Sequence, residues 1–189
     1  MKTQQQEQPL HQEELQQQQQ DDNTTIHKKI VIALEKGGSI ISKKLIELSK
    51  LEMELDYDKC LRLALNIGTQ INILKYLNLG IPVITIGDIL VSNDGTYILD
   101  TKKHIDSLDS NNNILLTVSF QKNKDTPPEL KKITKIPNTI YYTSAYYSLA
   151  KLCLSLLNKD LKSLYPTKLY FLLERCLRIE PKNRVFLYV

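Results

Sequence analysis

The stretch Ser144–Leu157, SAYYSLAKLCLSLL, carries a single charge, Lys151, and spreads apolar residues all round a helical wheel. A helix with no polar face cannot lie on the surface of a water-exposed domain, so neighbours have to cover it on every side. Thr143 or Ser144 supplies the side-chain oxygen that caps its first turn. Any fold open to this chain is therefore built around this segment.

Two other helices are available as partners. Over Asp58–Leu77 the residues Cys60, Ala64, Ile67, Ile71, Leu74 and Leu77 recur at three- and four-residue steps, which predicts a long amphipathic helix. Asp56 or Asp58 caps its start, and Gly80 is placed to end it in the left-handed conformation. Thr167 opens a last helix over Leu169–Leu177, with Pro181 beyond it. A weaker helix is expected over Ile40–Ser49 behind Ser39, with Ile41, Leu45 and Leu48 on one side.

The β material is small. Lys29–Glu35 is short and β-branched and ends at Lys36-Gly37-Gly38, a strand and a turn. Ile86–Asp100, IGDILVSNDGTYILD, reads as two strands, Ile89–Val91 and Tyr97–Leu99, around the turn residues Ser92-Asn93-Asp94-Gly95. A polar loop over Asp106–Asn113 leads to a third strand-like run, Ile114–Phe120, and Asp125–Leu130 is a proline-stiffened loop. The expected fold class is mainly α with a small β element.

Order is expected from residue 26 onward. Half of the first twenty residues are glutamine, and a segment so poor in apolar side chains cannot offset its ordering entropy. Residues 1–25 thus read as a disordered tail and 26–189 as one domain. No apolar run reaches the eighteen residues of a membrane span, and no apolar stretch follows the start as a secretory signal requires, so an intracellular, cytoplasmic protein is expected. The net charge of +4 divides unevenly. Residues 1–25 hold Lys2 against five acids, −4, which leaves +8 on the rest. The lysines of the basic part are scattered, with no arginine cluster and little aromatic interleaving, which argues for a protein partner over nucleic acid. Cys60, Cys153 and Cys176 each sit in an apolar run with no CxxC pairing, the pattern of buried free thiols rather than of a zinc site. Tyr141, Tyr142, Tyr146 and Tyr147 read as core aromatics before they read as a binding platform.

Taken in order, these segments resemble the C-terminal lobe of a protein kinase. IVIALEKGGSI (30–40) is similar to the strand, acidic hinge and Gly-Gly-Ser turn that hold adenine, which makes Glu35 and Gly37 the cofactor-binding candidates. DILVSNDGTYILD resembles the strand pair between the catalytic-loop asparagine and the metal-binding aspartate, which puts Asp88 and Asp100 in those two places. Pro127-Pro128-Glu129 is similar to the end of the activation segment, SAYYSLAKLCLSLL to the buried helix written S-D-V-W-S-L-G, and LERCLRIEPKNR (173–184) to the close of the fold. The phrasing also resembles kinase-like proteins of large DNA viruses, which would put the protein in the host-cell cytoplasm.

The resemblance implies a framework whose chemistry has gone. The glycine loop and phosphate-binding lysine belong to an N-terminal lobe, and only the glutamine tail precedes the hinge-like strand. Where H-R-D-x-x-x-x-N should stand, the chain reads Ile81-Pro82-Val83-Ile84-Thr85-Ile86-Gly87-Asp88, with no base at Val83 or Ile84. Ala145 replaces the aspartate that braces that loop, while Glu129 and Arg184 keep the places of a structural ion pair. The expected function is that of an inactive, pseudokinase-like binding or scaffold module with no catalytic residue. ATP and magnesium are the only cofactors the resemblance offers, with Asp88 and Asp100 as the metal candidates. The competing reading is the C-terminal half of a split or truncated Ser/Thr kinase that needs a separate N-lobe.

Overall fold

A computed structural model describes residues 45–51, 54–100, 105–119, 121–123 and 125–188. The tail, the hinge-like strand, Glu35 and Gly37 lie outside these residues. Within them the fold is mixed α/β and rich in helix, with small antiparallel sheets. No helix among the described residues is long and apolar enough to cross a membrane.

The chain runs β1 (Ile46–Glu47), α1 (Tyr57–Tyr76), β2 (Leu79–Gly80), β3 (Ile89–Val91), β4 (Tyr97–Leu99), β5 (Asp106–Ser107), β6 (Asn113–Leu116), α2 (Pro128–Lys132), β7 (Asn138–Tyr141), α3 (Ser144–Leu156) and α4 (Lys168–Cys176), with short 3-10 turns between them. Strands β1, β3 and β4 form one sheet in that order, β2 pairs with β5, and β6 pairs with β7.

Helix α3 packs against both α1 and α4, but the expected cover on every side is incomplete, because its face of Tyr147, Lys151, Leu154 and Ser155 is left partly open. Ala145, Tyr146, Leu149, Ala150 and Cys153 are buried in the main core with Cys60, Leu63, Ala64, Ile67, Ile71 and Leu74 of α1 and Leu169, Leu172, Leu173 and Cys176 of α4. A smaller core of Ile114, Leu116, Leu130 and Ile140 joins the β6–β7 pair to α2. All three cysteines are buried and free. Burial pushes the Cys176 thiol up to about 12, and the contact with Cys60, reinforced by burial, raises that of Cys153.

Helix caps follow the side chains that can accept from open N–H groups. Asp56 accepts from the Lys59 N–H at 2.8 Å at the head of α1, and the Thr167 hydroxyl accepts from Tyr170 N–H at 3.2 Å at the head of α4. Pro128 sits at the head of α2, where a missing N–H costs nothing, so a helix starts inside the expected proline loop.

Four further expectations need correction. Neither Thr143 nor Ser144 caps α3 with its side chain, because their hydroxyls donate instead to the carbonyls of Pro181 and Pro82. Ile46–Glu47 is not helical but pairs with Val91 and Leu90, and Leu48–Lys50 continues as a 3-10 turn. A helical pattern that short cannot cover the cost of nucleation, and cross-strand pairing decides its fate. Residues 40–44 lie outside the described set. The left-handed residue after α1 is Asn78 (φ 58°), not Gly80. Gly80 is instead a matter of space, because a Cβ there would stand 2.8 Å from side-chain carbons of Ile114 and Leu108. The third strand is also shorter than expected, Asn113–Leu116.

Gly68, in the middle of α1, is set against the C-terminal segment in the same way. A Cβ there would lie 2.0 Å from the ring of Phe186, which stacks on Tyr146 at 5.7 Å. Gly68→Ala is expected to destabilise the protein by about 2 kcal/mol through overpacking. In a Phe186→Ala background the same change should stabilise by up to about 1 kcal/mol, the helix preference of alanine over glycine. Urea midpoints of the four proteins test this inversion of sign.

Candidate functional site

The segment between β2 and β3 is the one that the kinase resemblance puts in the place of a catalytic loop. Its backbone is fastened to α3 by two hydroxyls one turn apart. Ser148 Oγ accepts from the Ile84 N–H at 2.8 Å and donates to the Ala145 carbonyl at 3.0 Å. Ser144 Oγ donates to the Pro82 carbonyl at 2.8 Å. All three α3 residues are buried, with Ala145 fully enclosed. A carboxylate at that position would be a buried charge beside a backbone already served by neutral hydroxyls.

Asp88 closes the segment. Its Oδ2 accepts from both the N–H of Thr85 (2.8 Å) and the Thr85 hydroxyl (2.7 Å), and its side chain is almost wholly buried. The Asp100 N–H donates to the Asp88 carbonyl at 2.7 Å, so the two residues stand side by side where β3 begins and β4 ends. One oxygen of Asp88 is thus committed to its own turn. Among the described residues, no three His, Cys, Asp or Glu side chains gather as a metal site.

The second half of the site is a structural anchor. Arg184 follows the turn Pro181–Asn183 and reaches back to Glu129 at the start of α2, with Nη1 to Oε1 at 2.5 Å and Nη2 to Oε2 at 2.8 Å. Nε donates to the Arg178 carbonyl (2.7 Å), Nη2 to Ile179 (3.0 Å) and Nη1 to Thr143 (3.5 Å). All five guanidinium donors are therefore placed, and the Tyr147 ring covers the plane at 4.9 Å. The Thr143 hydroxyl adds a bond to the Pro181 carbonyl at 2.6 Å. One buried cation joins α2, the head of α3 and the C-terminal turn.

Of the tyrosines, Tyr146 is buried and donates to Asn72 Oδ1 at 2.5 Å, and burial raises its phenol above the usual range. Tyr141, Tyr142 and Tyr147 are only partly covered. Sequence reasoning offers Ser144 only as a cap and misses Ser148, although two hydroxyls four residues apart on a largely buried helix mark one polar line facing a neighbour. It also missed Asn66 and Gln70 of α1. The signal for Gln70 was there, because it falls at the apolar spacing between Ile67 and Leu74.

No protein-family model and no curated protein matches this chain.

Proposed function

We propose that the chain is a degenerate protein kinase-like C-lobe that works as a protein-binding or scaffold module without phosphotransfer activity. The observation that carries this reading is the Glu129–Arg184 pair, a two-pronged ion pair tying the segment after Pro127-Pro128 to the end of the domain. The central place of α3 supports it as well.

The chemical groups point the same way. Phosphoryl transfer needs a residue that takes the proton of the attacking hydroxyl, and ligands that hold magnesium against the phosphates. In Ile81–Asp88 the only carboxylate is Asp88, which is turned onto Thr85. Ile84, in the region where a base belongs, is buried, and its N–H is tied to Ser148. Three buried free thiols support a reducing, intracellular setting.

The expected result of a thermal melt with ATP and magnesium is an unchanged midpoint. Incubation with radiolabelled ATP and a generic basic substrate should transfer no label. A saturable, magnesium-dependent rise in the midpoint would sink the inactive-module reading and favour the split-kinase one.

A further inference from the structure

We infer that the outer edge of β7 is a docking site for an extended, acidic peptide segment, taken up by strand addition. Among the described residues, the outer edges of β4 and β7 are treated differently. In the β3–β4 ladder, Asp88 with Asp100 and Ser92 with Thr96 are hydrogen-bonded positions, so the backbone groups of Tyr97 and Leu99 point away from β3. Asn66 and Gln70 of α1 receive them. Tyr97 N–H donates to Asn66 Oδ1 (3.1 Å), Leu99 N–H donates to Gln70 Oε1 (2.8 Å), and Gln70 Nε2 donates to the Tyr97 carbonyl (3.0 Å). Two amides one helical turn apart stand in for a missing strand.

Strand β7 has no such cover. The Tyr142 N–H donates to the Asn112 carbonyl, and the β6–β7 register pairs Ile114 with Ile140 and Leu116 with Asn138. Alternation then turns the backbone groups of Thr139 and Tyr141 away from β6. The Thr139 N–H rests on the neighbouring Asn138 side chain at 2.8 Å. Among the described residues nothing accepts from the Tyr141 N–H, and no donor reaches the carbonyls of Thr139 or Tyr141. An open strand edge is a template for another strand.

A groove of about 530 Å³ runs along this edge, between Asn138–Tyr141 and the far wall formed by α2 and residues 133–135. Ile133, Ile140 and Pro181 give it apolar floor and wall, and the exposed Lys132 and Lys135 stand on its rim. Its one carboxylate, Glu129, is neutralised by Arg184. The groove is therefore cationic, which selects an extended segment with acidic side chains on one face and apolar ones on the other. This surface gives the proposed binding module a partner class and rests on that reading for its purpose. A failed peptide titration would remove the surface alone, while the ATP melt judges the inactive-module reading separately.

The probe is a fluorescein-labelled octapeptide of alternating glutamate and valine, titrated by anisotropy with the full chain. Saturable binding is expected, with amide shifts in NMR spectra confined to the 132–141 region. N-methylation of every second residue in one register should weaken it at least about tenfold, the loss of a hydrogen bond or two, whereas N-methylation in the other register should leave it intact. The double variant Lys132→Glu/Lys135→Glu should lose the glutamate peptide and gain the matching lysine–valine one. Tyr141→Pro, which removes an outward N–H without touching the β6 ladder, should weaken binding as N-methylation does; the methylated peptides test the same contact on the unaltered protein. No saturable binding, equal effects of methylation in both registers, or indifference to the charge reversal would each overturn the proposal.

Discussion

Glu129→Ala is expected to cost about 3–5 kcal/mol of folding stability, the usual penalty for leaving a buried charge without its partner. The Arg184 side chain is wholly enclosed, whereas Glu129 retains 18% exposure. The two deletions therefore fail in different ways. Without Glu129, the guanidinium keeps its bonds to the carbonyls of Arg178, Ile179 and Thr143 but has no counter-charge. Without Arg184, the carboxylate can turn toward water, yet three carbonyls lose their donor and α2 loses its tie to the C-terminal turn. Arg184→Lys should recover only part of the loss, because an ammonium cannot span both carboxylate oxygens and the carbonyls together. The double variant Glu129→Met/Arg184→Met should be clearly more stable than the sum of the two single losses, since neither charge is stranded. Urea midpoints at unchanged slope measure Glu129→Ala, Arg184→Ala, Arg184→Lys and the double variant alike. A single loss below about 1 kcal/mol would mean that the pair is a surface contact in practice, and the framework reading would lose its main support.

What the sequence makes legible here is what depends on neighbours a few residues away. Helix α1 lies one residue from its expected bounds because its apolar spacing and the Asp56 cap are local signals. The apolar wheel of α3 announces its buried side, Ala145, Leu149, Ala150 and Cys153, but not that Tyr147, Lys151 and Leu154 stay partly open. The turn between β3 and β4 is written in Ser92–Gly95, where Gly95 takes φ +76°. The failures all involve distant partners. β1 reads as helix because nothing near Ile46 announces Val91. β7 carries no local signal, because Asn138 and Thr139 follow Pro137 in a polar, lysine-rich stretch and its partner β6 lies across the α2 region. Gly80 reads as a helix stop because glycine has two uses, backbone freedom and lack of volume, and only the packing of Ile114 and Leu108 reveals which applies. In the site, the kinase resemblance singled out Glu129 and Arg184, which the structure brings together. The same resemblance could not show that hydroxyls on either side of Ala145 would brace the loop, since Ser144 and Ser148 carry no charge to betray a role. By the kinase resemblance Asp88 is a metal candidate. Its side chain is nearly buried, and one of its two oxygens is taken by a turn three residues long, a local commitment that the spacing of the two aspartates does not reveal.

Gln70→Leu should be among the most damaging conservative-volume changes in the protein, costing about 2–5 kcal/mol. The side chain is fully buried and makes three contacts, to the Asn66 carbonyl, the Tyr97 carbonyl and the Leu99 N–H. A leucine fits the apolar neighbourhood, but it leaves the Leu99 N–H and the Tyr97 carbonyl buried with no partner, each worth roughly 1–3 kcal/mol. Gln70→Glu separates this explanation from simple packing. A carboxylate can still accept from Leu99 N–H but cannot donate to Tyr97, unless it is protonated. Burial disfavours the charged form, so the folded-state pKa of the new carboxyl is raised above its unfolded value. Such a group binds its proton more tightly in the folded state, so its penalty is small at low pH and grows as pH rises through the folded pKa. Relative to the parent protein at the same pH, Gln70→Glu is thus expected to be only mildly destabilised in acid and strongly so near neutrality, while the deficit of Gln70→Leu stays level. Chemical denaturation of the three proteins across that range decides the matter. A flat deficit for the glutamate variant would show that the β4 edge does not depend on a donor at this position, and the account of α1 as a substitute strand would fail with it.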